Sequence, residues 1–224
     1  MDKHLLVQIH GRTEGFVMNI FDEMTDITLR HGSDRELQIK DIEFPGPRDD
    51  CDFGRGFYLT EVKQVAAEWI FDESTPVINE YKFSFPKNKI LFLTNEDWLR
   101  IVIGFRERQY QVYFKSPVIC GLIADDRMSN VMPQFMNGTI GDKRLIKCLD
   151  YCKLGNQYCL RESAEGLIFN RSYKLKGLEL QQAAEGFRNR RKGMQEQLIQ
   201  IQRNSIQGEK FIEDYIRMGD YVEI

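Results

Sequence analysis

The chain switches repeatedly between a two-residue and a three-to-four-residue apolar rhythm, the signature of strands interleaved with amphipathic helices. Near the amino terminus lie two short apolar stretches, Leu5-Leu6-Val7-Gln8-Ile9 and Ile27-Thr28-Leu29; the second is β-favouring, runs straight into His31 and is placed as a strand. Phe44-Pro45-Gly46-Pro47-Arg48-Asp49-Asp50 is dense in turn formers and reads as a loop, because proline fixes φ and glycine supplies unusual angles. That loop delivers the chain to Asp52-Phe53-Gly54-Arg55-Gly56-Phe57-Tyr58-Leu59-Thr60. With Thr60 as a cap, Glu61 to Phe71 sets Val62, Val65, Ala66 and Trp69 at helical spacing, and Pro76 closes the segment.

Tyr81 to Phe85 alternates as a strand, Ile90 to Leu93 is another apolar run, and Asn95 to Phe105 has helical spacing. Strand character returns at Val112 to Phe114 and at Val118 to Ile123. Met128 to Phe135 and Asp142 to Leu154 read as helices, the second ended by Gly155, and Gln157 to Leu160 as a strand. Tyr173-Lys174-Leu175 is a candidate last strand. Beyond Gly177 the composition shifts to glutamine, glutamate, arginine and spaced leucine and isoleucine, and Leu178 to Ile206 reads as one long or broken helix. The pattern predicts an α+β domain over residues 1–176 and a helical C-terminal extension over 177–224.

Composition narrows the class. At 224 residues the chain suits one domain with an appendage, and 29% charged against 42% hydrophobic residues is an ordinary globular balance. No window approaches the roughly 18 apolar residues of a spanning helix, and Met1 to Gly11 lacks an apolar signal core, so a cytoplasmic protein without a membrane partner is expected. The five cysteines (Cys51, Cys120, Cys148, Cys152 and Cys159) form no C-x-x-C pair, which argues for buried thiols rather than a disulfide or zinc framework; no metal is expected. A net charge of -3 gives no global pull towards nucleic acid, although Arg188, Arg190, Arg191 and Lys192 make a local basic cluster whose alternative reading is a solvated helix face. Phe83, Phe85, Tyr110 and Tyr113 are able to stack bases, yet their strand spacing suits core positions.

Three segments carry candidate chemistry. His31-Gly32-Ser33 ends a strand with an imidazole that offers donor and acceptor, beside a glycine that admits close approach to the backbone. Gly54-Arg55-Gly56-Phe57-Tyr58 opens onto an aromatic strand and a helix bearing Trp69, an arrangement able to clasp a flat heteroaromatic ring. Asn156-Gln157-Tyr158 starts a strand with two carboxamides, and Gln157 points into a cleft if Tyr158 and Leu160 face the core. Each also has a plain structural reading: a turn histidine, two core aromatics, and amides that satisfy backbone groups. Neither a Walker lysine nor a full G-x-G-x-x-G accompanies the glycines.

Taken in chain order, the three segments resemble the histidine-tyrosine-glutamate motifs of the ADP-ribosyltransferase superfamily of diphtheria toxin and the poly(ADP-ribose) polymerases. The resemblance runs from about Thr28 to about Leu160, and Gly121-Leu122-Ile123-Ala124-Asp125-Asp126 with Asn156-Gln157 is similar to a group of bacterial domains within that superfamily. It implies a split antiparallel β-sheet core with an NAD cleft and flanking helices, plus the helical tail. It further implies that His31 holds the adenosine ribose of NAD, that Gly32 holds the nicotinamide carboxamide with Ser33 supporting, and that Tyr58 and Trp69 enclose the nicotinamide beside Gly56. Catalysis is then expected to rest on Gln157, Tyr58 and His31.

Two departures matter. Gln157 stands where the family has glutamate; it hydrogen-bonds a ribose hydroxyl but carries no charge and cannot be a general base, so single transfer is expected over chain elongation and Glu162 is a distant candidate for the missing carboxylate. Ala66 replaces the serine of polymerase relatives, with the loss of one hydrogen bond worth on the order of 1 kcal/mol. The resemblance thus implies a mono-ADP-ribosyltransferase acting on a macromolecular acceptor, protein, RNA or DNA. Relatives of this kind frequently act as toxins or antiviral defence effectors, which implies a neutralising antitoxin; the composition shift beyond Gly177 makes the tail its expected docking face. A non-catalytic NAD-cleft binding module and an NAD glycohydrolase are the alternatives.

Overall fold

The computed structural model describes residues 23–70, 73–108, 111–124, 126–216 and 221–223. The apolar stretch Leu5 to Ile9, and with it Phe71, Tyr110 and Asp125, lies outside the described residues. A seven-stranded sheet is built from β1 (Ile27–Ser33), β2 (Phe57–Thr60), β3 (Val77–Phe83), β4 (Ile90–Phe92), β6 (Val118–Leu122), β7 (Asn156–Leu160) and β8 (Leu167–Lys174). Its order is β4-β6-β7-β2-β1-β3-β8, and every neighbouring pair is antiparallel except β4 with β6. A second, two-stranded sheet pairs β5 (Gln111–Tyr113) with β9 (Tyr221–Glu223) in parallel. The helices are α1 (Lys63–Glu68), α2 (Asn95–Glu107), α3 (Asp126–Ser129), α4 (Met132–Met136), α5 (Asp142–Cys152), α6 (Gly177–Arg203) and α7 (Ile212–Ile216).

The sheet separates two cores because side chains alternate between its faces. One face, carrying Ile119 and Cys159, is covered by α2 to α7; there Phe53, Trp98 and Phe135 are fully buried, and Trp98 Nε1 donates to Leu122 O at 2.9 Å. The opposite face gathers Leu29, Phe57, Leu59, Tyr81, Tyr158 and Leu160, closed by Leu37 and partly by Ile39, Ile42 and Phe44 of the segment that follows β1. Phe83 and Phe85 stack within that core at 5.6 Å between ring centroids, so their spacing reports packing.

Several boundaries differ from the sequence reading for local reasons. The expected cap Thr60 ends β2 instead: its Oγ1 accepts from Val62 N at 3.1 Å, Val62 is the helix cap, and α1 is correspondingly short. Met128 to Phe135 is two helices, parted where Asn130 takes a positive φ of 51° and Pro133 opens the second. Lys153, at φ 51°, ends α5 before Gly155 is reached. The candidate strand at Tyr173 is the end of the eight-residue β8, paired along its length with β3.

The C-terminal helix packs against the first core. Phe187, Leu198 and Ile201 of α6 are buried in the first core, and Arg190 forms an ion pair with Glu68, whose side chain is 1% exposed. Arg127 adds a bond to Glu68 O at 2.9 Å and lies over the Phe187 ring at 5.6 Å. Among the described residues no helix is long and apolar enough to cross a membrane.

Arg190→Ala leaves a buried carboxylate with reduced compensation; because Gln64 Nε2 still donates to it at 3.0 Å, the expected loss is about 3 kcal/mol, at the low end for a broken buried pair. Urea unfolding measures this, and a loss below about 1 kcal/mol would mean that the pair does not anchor α6.

Candidate functional site

The strands that carry the three motif segments, β7, β2 and β1, lie side by side at the centre of the sheet. Register decides which side chains meet. Tyr58 pairs with Cys159 and Thr60 with Gln157, so Tyr58 and Gln157 share the face covered by helices. Tyr158 and Leu160 belong to the opposite core, which is the condition the sequence set for Gln157 to turn the other way.

His31 behaves differently. Between β1 and β2 the ladder holds a single register pair, Arg30 with Thr60, whereas β1 pairs with β3 from Ile27↔Phe83 to Ser33↔Val77. Arg30 therefore shares the face of Thr60, and His31 takes the other, its ring 4.5 Å from that of Phe57. Where the two strands part, His31 Nδ1 lies 2.7 Å from the Tyr58 carbonyl oxygen. A carbonyl only accepts, so Nδ1 carries the proton and Nε2 is left as an acceptor. The residue keeps some surface exposure, yet its ring is densely surrounded. That desolvation, the larger effect, outweighs the hydrogen bond to Tyr58 and lowers the imidazole pKa from its ordinary value.

The remaining residues of the first two segments each have an identifiable structural task. A Cβ on Gly32 would stand 2.6 Å from Ala66 O and 2.8 Å from Ile70 Cγ2, so this glycine lets the end of α1 seat on β1. The same test at Gly56 meets Cys159 Sγ at 2.3 Å, so the loop before β2 reaches β7 only without a side chain there. Ser33 Oγ bonds to Arg35 O and accepts from Asn79 Nδ2 at 2.9 Å. The Tyr58 hydroxyl accepts from Phe53 N at 2.9 Å and donates to Gly54 O at 2.7 Å, while burial pushes its pKa well above the ordinary phenol range. Trp69 caps α1 and touches two hydrophobic clusters; like Tyr58 it is half-buried.

Gln157, 5% exposed, donates from Nε2 to Asp52 Oδ2 at 2.7 Å and to Leu122 O at 3.0 Å. Asp52 Oδ1 in turn accepts from Arg106 Nη2 at 2.7 Å and Nε at 3.0 Å. The carboxylate bonded to Gln157 is thus Asp52, while Tyr158 of the same segment donates to Glu61 Oε1 at 2.9 Å. Glu162, the candidate from sequence, is exposed beyond the far end of β7 from Gln157. Sequence reasoning missed Asp52 because 105 positions separate it from Gln157; the only local signal was an acidic residue directly before the Phe53-Gly54 turn. Burial raises the Cys120 thiol to about 11 and those of Cys148 and Cys159 to about 12, which keeps all three protonated.

Two clefts lie away from these residues. One of about 190 Å³ is lined by Ser129, Gln134, Arg191 and Gln195, the other of about 330 Å³ by Glu96, Asp142, Lys147 and Tyr215. Neither touches a motif residue, so the site rests on the strand geometry.

The fold defines an α+β protein with a mostly antiparallel seven-stranded sheet whose three adjacent central strands carry the candidate groups, Tyr58 and Gln157 on one face and His31 on the other. A family model described as protein of unknown function (DUF3990) matches residues 27–167, from the first residue of β1 to the first of β8, and the chain belongs to that family. No curated protein matches the chain, and no solved structure does.

The lowered pKa of His31 has a definite pH consequence. A group whose folded pKa lies below its unfolded one leaves stability at full value above the unfolded pKa; stability falls as pH drops below it, because the unfolded chain binds the proton first. Between pH 7.5 and 5.5 the wild type is expected to lose more stability than His31→Gln, by no more than about 1.4 kcal/mol per pH unit. Parallel stability curves would mean that the imidazole is not shielded.

Proposed function

We propose that this protein is an NAD-dependent mono-ADP-ribosyltransferase of the histidine-tyrosine class that modifies a macromolecular acceptor. The observation that carries the reading is the arrival of all three motif segments, in the expected order, on three adjacent strands at the point where β1 leaves β2. The available groups fit NAD. Among the described residues, His31 Nε2 and Gln157 Oε1 make no hydrogen bond within the protein, and both are acceptors suited to ribose hydroxyls. Tyr58 and Trp69, both half-buried, are the aromatic residues suited to a flat nicotinamide.

NAD supplies a labile glycosidic bond: the acceptor's nucleophile bonds to the ribose carbon, the bond's electron pair leaves on the nicotinamide nitrogen, and the acceptor's proton is released. The protein's share is positioning. Tyr58 is fixed by its two bonds to the preceding loop, Trp69 by its packing at the end of α1, and Gln157 by Asp52 and Leu122. Holding a bent substrate with its reacting bond exposed lowers the barrier without a charged base. His31 stays neutral, so it orients a hydroxyl as an acceptor. A ligand lodged in the split, rather than on one face, is reached by His31 from one side and by Tyr58 and Gln157 from the other.

The reading carries a cytoplasmic location, a toxin or antiviral defence role, and a neutralising antitoxin as partner. Because the inner side of α6 is in the core, an antitoxin docking on the tail meets its outer side, where Arg188 and Lys192 lie. One observation favours a second reading, a non-catalytic NAD-cleft module: the third-motif side chain is uncharged and almost fully buried. An NAD glycohydrolase uses the same groups, with water as acceptor.

The test is incubation with NAD labelled in its adenylate half, in the presence of separate protein, RNA and DNA fractions. Label is expected in one fraction, falling by at least about tenfold in Gln157→Ala and Tyr58→Ala proteins that still unfold cooperatively. Nicotinamide release without labelling points to the glycohydrolase. Binding without release points to the module, and neither binding nor release sinks the proposal.

A further inference from the structure

We propose that Asp52 is a positioning residue that holds the Gln157 carboxamide in one orientation, making it a fixed hydrogen-bond acceptor for the substrate; this inference rests on the transferase reading above. A primary carboxamide has two N–H donors and one acceptor oxygen. Both donors of Gln157 are used, towards Asp52 Oδ2 at 2.7 Å and Leu122 O at 3.0 Å. Each partner is purely an acceptor, so turning the amide over would set Oε1 against a carboxylate and a carbonyl together. Only one orientation survives, and Oε1 is the pole it leaves for a ligand.

Asp52 is itself immobilised. Arg106 grips its other oxygen through Nε and Nη2, and the same Nη2 donates to Ala124 O at 3.2 Å. The relay runs from the last turn of α2, through the loop before β2, to the first residues of β7, and its side chains are 22% exposed at Arg106 and 11% at Asp52. Arg106 offsets most of the Asp52 charge felt at a distance. The contribution of Asp52 is therefore direction rather than field.

The relay also explains why glutamine occupies this position. A glutamate at 157 would bring a second carboxylate to within hydrogen-bond distance of Asp52 and face the Leu122 carbonyl as well; two such carboxylates cannot both ionise without cost. Glutamine with a neighbouring aspartate replaces the family's glutamate as a unit, and restoring glutamate alone removes the acceptor geometry instead of improving it.

The discriminating variant is Asp52→Asn. Its Oδ1 still accepts from Arg106, so a mere staple of the loop to α2 survives. Its Nδ2, however, faces the Gln157 nitrogen and forces that amide to turn. In the full chain, nicotinamide release from NAD is expected to fall on the order of tenfold in kcat, with KM for NAD changed by less than about threefold. The side-chain amide signals of Gln157 in ¹⁵N-labelled protein, assigned by their loss in Gln157→Met, are expected to be protected from exchange in the wild type and displaced in Asp52→Asn. Gln157→Glu is expected to release no more nicotinamide than the wild type at pH 7.5.

Release by Asp52→Asn within about twofold of the wild type, unprotected Gln157 signals in the wild type, or a gain of activity in Gln157→Glu would each overturn the positioning role alone. Absence of release by the wild type with every acceptor fraction would overturn the transferase reading, and the role of Asp52 would fall with it. If Asp52→Asn fails to fold, the wild-type amide signals and Gln157→Glu decide the matter.

Discussion

The early parting of β1 from β2 is the constraint around which the rest of the site is arranged. Two strands at the centre of a sheet would ordinarily satisfy each other's backbone groups along their length, and polar groups left unpaired in such a place are costly. Here they exchange a single register pair, and the Tyr58 carbonyl is met by the His31 imidazole instead of the neighbouring backbone. That substitution fixes the tautomer of the ring and places Phe57 against it. The same burial that seats the ring keeps it neutral. β1 survives the loss because β3 pairs with it from end to end and α1 closes on Gly32.

A second dependence runs through the loop before β2. Phe53 N and Gly54 O hold the Tyr58 hydroxyl, while Asp52, one residue earlier, holds the Gln157 amide. One short segment thus orients two of the three motif side chains, and Arg106 ties that segment to α2. Its backbone can approach β7 closely because Gly56 has no side chain to strike Cys159. The glycines of this segment therefore have packing roles that hold whatever ligand the site takes.

Much of this was legible in the sequence, and what was not has physical causes. Strands with alternating or continuous apolar runs, such as Val118 to Leu122 and Asn156 to Leu160, emerge where expected, as does α2 with its Thr94 cap, whose Oγ1 accepts from Asp97 N at 3.2 Å. The length of β8 was not foreseen, because Ile168-Phe169-Asn170-Arg171-Ser172 lies at a sheet edge and its polar residues obey no core pattern. The helix from Met128 to Phe135 broke on one left-handed asparagine, an event that periodicity does not register. At the site, the three motif segments were found by their residue types, whereas Asp52 was not. A pair joined only by tertiary contact leaves no spacing to read, and the nearer carboxylate in sequence, Glu162, lies beyond the far end of β7 from Gln157.

The candidate groups carry little net charge. His31 is held neutral, Gln157 has no charge, and the Asp52 carboxylate is matched by Arg106. Groups without net charge select by shape and by directed hydrogen bonds, since they exert little long-range attraction on an anionic ligand. His31 Nε2 and Gln157 Oε1 are acceptors that make no hydrogen bond among the described residues. Under the proposed function, it is this pairing of acceptors that meets the ribose hydroxyls of NAD.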